Sequence, residues 1–366
     1  MLVADIEPSL PSSAPDRLVA YDGRAWFRAS TADRGGELWV SDGSPAGTRL
    51  AVEFVAGIDS GFAEPLVALN ANQLLVAARD TIGDAIYVVT PVGVATRLAS
   101  ARYCALAGLP QRTTVAGSLV FFPASTGNGC EPFVSDGTVT GTFALGDLVS
   151  GSGNSNPQRF VAVGAQVFFT ATTPATGREL WVSDGTAVGT RPVADFATGT
   201  TSADPTGLIE QNGRLLFIAR DAATARRLRS TDANVIDNIE PMAGFTTGNE
   251  TVRFGTEVCF AGNDGSSGNE LWCSDGSGGG TRRVRDLFAG IGSSSPAGFL
   301  AANTALGARL FYISTNSADS IFLLRSADRR WPAIVMPQAM WSYGAATAAR
   351  SGPAGSPTSA AHRAAA

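Results

Sequence analysis

The sequence predicts an all-β protein, a β-propeller of about seven four-stranded blades, and three observations carry that prediction. One octad recurs along the chain, its copies are spaced by near-multiples of about 47 residues, and short apolar stretches flank every copy. An open β-solenoid is the competing architecture, but its repeats are usually shorter.

The clearest copies of the octad are Glu37-Leu38-Trp39-Val40-Ser41-Asp42-Gly43-Ser44 and Glu179-Leu180-Trp181-Val182-Ser183-Asp184-Gly185-Thr186. Two more are Glu131-Pro132-Phe133-Val134-Ser135-Asp136-Gly137-Thr138 and Glu270-Leu271-Trp272-Cys273-Ser274-Asp275-Gly276-Ser277. Each runs on to Gly-Thr (Gly47-Thr48, Gly141-Thr142, Gly189-Thr190, Gly280-Thr281), and each is preceded by a glycine two positions before the Glu (Gly35, Gly129, Gly177, Gly268). The gaps between copies expose three eroded units, around Thr90, Asp232 and Asp328. The blade motifs therefore fall near 42, 90, 136, 184, 232, 275 and 328.

Each octad reads as the third strand of a unit. The second strand lies upstream, as in Trp26-Phe27, Phe121-Phe122, Phe168-Phe169, Leu216-Phe217, Cys259-Phe260 and Phe311-Tyr312. A first strand precedes that one, as in Pro65 to Asn70 and Arg159 to Gly164, and a fourth follows Gly-Thr, as in Arg49 to Val52. All are short, rich in Val, Phe, Leu and Trp, and bounded by turn residues, which are strand and hairpin signals. No stretch shows the 3.6-residue period of a helix. Four strands per unit is one propeller blade. A lone four-stranded sheet with two apolar faces cannot bury both, and stacking blade on blade does so. Residues 2–6 match the fourth-strand pattern and are expected to pair near 331–335, fastening the chain ends. Residues 1–336 thus read as one repeat domain, and residues 337–366, rich in Ala, Ser, Gly and Pro, as a disordered tail.

Composition excludes several function classes. The net charge is −5, no lysine is present and no basic run occurs, which argues against nucleic acid as a partner. The single histidine, His362, lies in the tail, so the repeat domain has none for a Ser-His-Asp triad, a Cys-His pair or a His-containing metal cage. No apolar run is long enough to span a bilayer. The first residues show neither a basic n-region nor a long apolar core, so no signal peptide is visible, although the chain opens inside a repeat unit.

The motif residues read first as structure. Trp39, Phe133, Trp181 and Trp272 are expected to fill the space between blades, with carbohydrate stacking as the alternative. Asp42-Gly43, Asp136-Gly137, Asp184-Gly185 and Asp275-Gly276 read as turns, the Asp accepting from backbone amides and the Gly supplying positive φ. Calcium on these four Asp is the alternative, but one carboxylate per loop falls short of the six to eight oxygens calcium takes. No cofactor is expected. Glu37, Glu131, Glu179 and Glu270 are expected to pair with an Arg of the following strand, such as Arg49 or Arg191. The four cysteines form two local sets, Cys104 with Cys130 and Cys259 with Cys273, which suggests disulfides and an oxidising compartment, with free thiols as the alternative.

The octad resembles the bacterial ELWxxDGT repeat family over residues 1–336, with Trp39, Trp181 and Trp272 in near-perfect copies and Phe133 replacing Trp in the third unit. The resemblance implies an exported repeat protein and no particular reaction. The sequence-level expectation is therefore a non-catalytic binding or scaffold module of the cell exterior, with an unknown protein or glycan as partner. Its rival is a carbohydrate-active hydrolase or lyase using channel carboxylates.

Overall fold

A computed structural model describes residues 3–8, 12–104, 113–127, 129–221, 226–242, 244–315 and 322–327. Among these residues every regular element is a strand, and the strands form seven antiparallel sheets in chain order. Six sheets contain the expected run of four consecutive strands, and the seventh shows three. The fourth blade is representative: Gln158–Val163, Gln166–Thr173, Gly177–Ser183 and Arg191–Pro192, each paired with the next. The third blade carries one addition, the short strand Arg102–Tyr103, which pairs with the edge of its second strand at Ala124 and Ser125.

The first strands of successive blades lie against one another, which makes them the inner strands and the short fourth strands the outer ones. This is the radial arrangement of a β-propeller. Second and third strands carry most of the core because both of their faces are covered. In the fourth blade Val167, Phe168, Phe169, Thr170 and Ala171 are all buried in sequence, so both faces of that strand meet neighbours. Adjacent blades meet through apolar clusters. Phe121 and Val134 pack with Phe169 and Trp181 between the third and fourth blades. Leu180 and Phe196 pack with Leu215 and Phe217 between the fourth and fifth. Fully burying such a side chain contributes about 1.5–3 kcal/mol, so these junctions hold the blades in place.

Six junctions are filled in this way, from the first and second blades through to the sixth and seventh. Among the described residues the junction between the seventh and first blades differs. Leu18 is 67 % exposed, whereas Phe160 and Leu208, at the equivalent place in the fourth and fifth blades, are 2 % and 5 % exposed. On the seventh blade Leu300, Ile313 and Leu324 are likewise exposed. The pairing expected to close the ends is not seen: residues 3–6 form no strand, and residues 331–335 lie outside the described residues, as do Asp328 and the tail.

A bulge recurs in the first strand. Register slips after Asp16, Gln158, Thr206 and Ala297, and the next residue takes a left-handed φ: Arg17 at 58°, Arg159 at 56°, Gly207 at 59° and Gly298 at 62°. A bulge of this kind bends the strand and re-aims a side chain.

Candidate functional site

The octad glutamates form the most regular chemistry in the molecule. Glu37, Glu179 and Glu270 have no exposed surface and Glu131 is 4 % exposed. The expectation that they pair with arginines of the next strand is overturned. Glu37 accepts backbone N–H groups from Phe54 and Gly61, both at 2.8 Å, while Arg49 donates to the Leu50 carbonyl and Arg191 to that of Ala233. Glu179 accepts from Phe196 (3.3 Å) and Ala203 (3.0 Å) in the same manner. Glu131 and Glu270 accept two amides each, from Leu148 and Ser155 and from Leu287 and Ser294, and add a serine hydroxyl at 2.6 Å.

The physical reason is geometric. The chain leaves the fourth strand, turns back toward the axis and starts the next blade, and its amides on this path have no ladder to join. A buried N–H without an acceptor is costly, and the carboxylate supplies two acceptors to it. The glycine before each Glu lets that connection approach. A Cβ on Gly129 would lie 1.6 Å from the Gly153 carbonyl oxygen, and one on Gly268 would lie 2.1 Å from that of Gly292. Burial raises all four carboxyl pKa values against the opposing amide hydrogen bonds, and pushes Glu179 up to about 7.

The Ser-Asp-Gly-Ser/Thr segments are turns, repeated almost atom for atom. In the fourth blade Asp184 Oδ1 accepts the Thr186 N–H (2.9 Å) and hydroxyl (2.7 Å). Ser183 Oγ accepts the Gly185 N–H and meets Thr190 Oγ1 at 2.7 Å. Gly185 has φ +92°, and a Cβ on Gly189 would fall 2.1 Å from the Asp184 carboxylate. Asp42, Asp136 and Asp275 repeat the contact with Ser44, Thr138 and Ser277, and Gly43, Gly137 and Gly276 the positive φ. These hydrogen bonds hold the Asp42, Asp184 and Asp275 carboxyls below their ordinary range. Among the described residues no group of three or more His, Cys, Asp or Glu is gathered to hold a metal ion. The Ser–Thr pairing across each turn carries no sequence signal beyond the Gly-Thr that ends it.

Trp181 and Trp272 are buried within inter-blade clusters, and Phe133 is buried against Phe122. Trp39, on the first blade, joins none of these clusters among the described residues and is half-buried. The cysteines form two disulfides, Cys104–Cys130 and Cys259–Cys273. The second joins directly opposed positions on neighbouring strands of the sixth blade.

Beside the first disulfide lies a solvent-open depression of about 530 Å³ between the second and third blades. Asp84, Ser100, Arg102, Thr126, Gly127 and Ser152 are among its lining residues, and polar groups dominate it. A fixed network backs it. Arg79 pairs with Asp84 at 2.9 Å, and Arg97 bonds both Asp80 (2.5 Å) and Ser100 (3.2 Å). Burial alone would raise Asp80, but hydrogen bonds from Tyr87, the Ile82 amide and Arg97 outweigh it and hold the carboxyl at about 2.

No family model matches the chain, and no curated protein matches it. Solved structures do align with it at low identity. The chain is 9 % identical to a prolyl endopeptidase (TM-score 0.43), covering 86 % of this chain and 50 % of that one. It is 15 % identical to a puromycin hydrolase (TM-score 0.36), covering 87 % and 52 %. It is 10 % identical to the β-propeller domain of the Trilobed protease from Pyrococcus furiosus (TM-score 0.39), covering 87 % and 96 %. The chain thus spans about half the length of the two whole enzymes. These neighbours correct one expectation. They are described as a prolyl endopeptidase, a puromycin hydrolase and the propeller domain of a protease, in contrast to the expected non-catalytic module of the cell exterior; neither that module nor its carbohydrate-active rival is carried forward.

Proposed function

We propose that this chain is a peptidase-related propeller, whose part in the hydrolytic system is to receive and orient a peptide. The depression between the second and third blades is the observation that carries this reading. Its hydroxyls and glycine backbone offer donors and acceptors suited to a peptide main chain, and Arg102 and Asp84 bring both signs of charge to its lining. Arg102 is exposed, so its guanidinium is available to a ligand carboxylate. Peptidase activity in the structural neighbours belongs to those proteins and serves only as a guide to the substrate class. A Ser-His-Asp triad requires a histidine, and His362 is the chain's one histidine. In this reading the scissile chemistry falls to groups outside the described residues. The two disulfides support folding in an oxidising compartment.

The test is binding and cleavage of a library of short unstructured peptides, followed by anisotropy and mass spectrometry, with wild type and Arg102→Ala side by side. The reading expects a subset of peptides to be retained, and affinity to fall about tenfold in Arg102→Ala, the scale of one charged interface contact. Peptides neither bound nor cut, or bound equally by both proteins, would overturn it.

A further inference from the structure

We infer a second binding site, for a small multiply charged oxyanion such as a phosphate group or a polycarboxylate, in the arginine cluster at the junction of the fourth and fifth blades. It is independent of the peptide reading and lies on different blades from the depression.

Four guanidinium groups converge there. Arg220 and Arg226 are directly opposed at the ends of neighbouring strands of the fifth blade. The connection from the fourth blade runs alongside: the Asp204 N–H donates to the Arg178 carbonyl, and the Arg220 N–H to the Ala203 carbonyl. Arg178 is thereby held next to Asp204, and its Nη1 donates to the Asn156 carbonyl (3.3 Å) and Thr170 Oγ1 (3.1 Å). Arg159 stands three residues beyond Asn156, near enough to repel Arg178. Asp204 is paired with Arg220 at 3.3 Å. The buried Glu179 carboxyl also feels Asp204, but it faces the amides of Phe196 and Ala203.

Two features mark the cluster as more than a solvated face. The first is uncompensated charge in an acidic protein: the chain carries a net −5, yet here Arg178, Arg220 and Arg226 gather about one acid, Asp204, with Arg159 adding its charge beside Arg178. Arg226 Nη1 is buried and has no hydrogen-bond partner among the described residues, and a buried donor left in that state costs about 1–3 kcal/mol. Burial first, and then repulsion from Arg159 and Arg220 respectively, lower the pKa of Arg178 and Arg226 and outweigh the pull of Asp204. The second is strain. Arg159 occupies the bulge position with φ +56°, where the fifth and seventh blades use Gly207 and Gly298. A non-glycine residue there costs of order 1 kcal/mol or more. In the first blade the equivalent Arg17 uses this conformation to pair with Glu64 at 3.2 Å. Arg159 makes no ion pair among the described residues, and its charge bears on Arg178 instead. Forked guanidinium groups bind phosphate and carboxylate oxygens bidentately, and several together suit an anion of charge two or more.

The experiment uses the whole chain and titrates inorganic phosphate, then citrate, against sodium chloride at matched ionic strength, reading heat of binding and Tm. Three proteins are compared: wild type, Arg159→Gln and Asp204→Asn. Arg159→Gln removes a cation that anchors no neighbour, and Asp204→Asn removes the cluster's own anion while keeping a residue that tolerates φ +46°. The inference expects saturable binding of at least one of the two anions, about tenfold weaker in Arg159→Gln and severalfold tighter in Asp204→Asn. The opposite signs separate a binding role from a folding defect, since a damaged fold would weaken binding in both variants. Preference for phosphate or for citrate identifies which source of the charge the site takes. No binding beyond the chloride control, or affinities equal in all three proteins, would overturn the inference.

Discussion

The fourth and fifth blades stand side by side and meet the same requirement with opposite charges. In the fourth, Glu179 is buried and accepts two backbone N–H groups from the chain on its way to the next blade. In the fifth, the equivalent position is Arg227, opposite Ala219 as Glu179 is opposite Ala171. Its guanidinium donates to the Phe245 carbonyl (3.1 Å), to Glu240 (3.2 Å) and to Asp221 (3.1 Å). Where the octad survives, an acceptor ties down stray amides. In the fifth blade, where it is lost, a donor ties down a carbonyl and recruits acids to balance itself. In these two blades the connection is held by a polar side chain, and the sign of that group matches the backbone atoms that face it.

The sharpest way to break this comparison is to move one solution into the other blade. Glu179→Arg would aim a guanidinium at the amides of Phe196 and Ala203, donor against donor, in a site with no exposed surface. Chemical denaturation should show a loss above about 4 kcal/mol, in the range of an unpaired buried charge. A loss below about 1 kcal/mol would mean that the anchor is dispensable.

A smaller effect separates the two blades by pH. Glu179 is pushed from the ordinary 4.5 up to about 7 by burial, so the folded state binds its proton more tightly than the unfolded chain does. Stability from this group therefore rises as pH falls from above 7 to below 4.5, by at most about 3 kcal/mol. Urea midpoints measured from pH 8 to pH 5 should show wild type gaining on Glu179→Gln. Parallel curves for the two proteins would refute the assignment.

The sequence displays the blade plan because periodic apolar strands and turn residues leave local marks. The seven units, the third-strand place of Trp39, Trp181 and Trp272, and the Asp-Gly turns were legible for that reason. The opposed pair Cys259 and Cys273 could be anticipated from strand positions within one hairpin. The partner of Glu179 could not, because it is backbone, and backbone amides of any residue look alike in a sequence. Arg49 and Arg191 were plausible partners by charge and proximity along the chain, and the turn geometry sends both to carbonyls instead. The depression and the arginine cluster were hidden for a related reason. Arg159, Arg178, Arg220 and Arg226 come from two blades and are gathered only by the side-by-side placement of those blades. Turn chemistry also bends more than its signature suggests: Ala233 takes the place of Gly185 in the fifth blade and still adopts φ +79°. Loss of the octad there did not mean loss of the turn.

Hydrogen exchange at the connecting amides tests the central account most directly. In wild type the amides of Phe196 and Ala203, although outside the strands, should exchange as slowly as those of the inner strands, and in Glu179→Ala they should exchange at loop rates while strand amides of distant blades stay protected. Rapid exchange of both amides in the wild-type protein would contradict the anchoring role of the buried carboxylate.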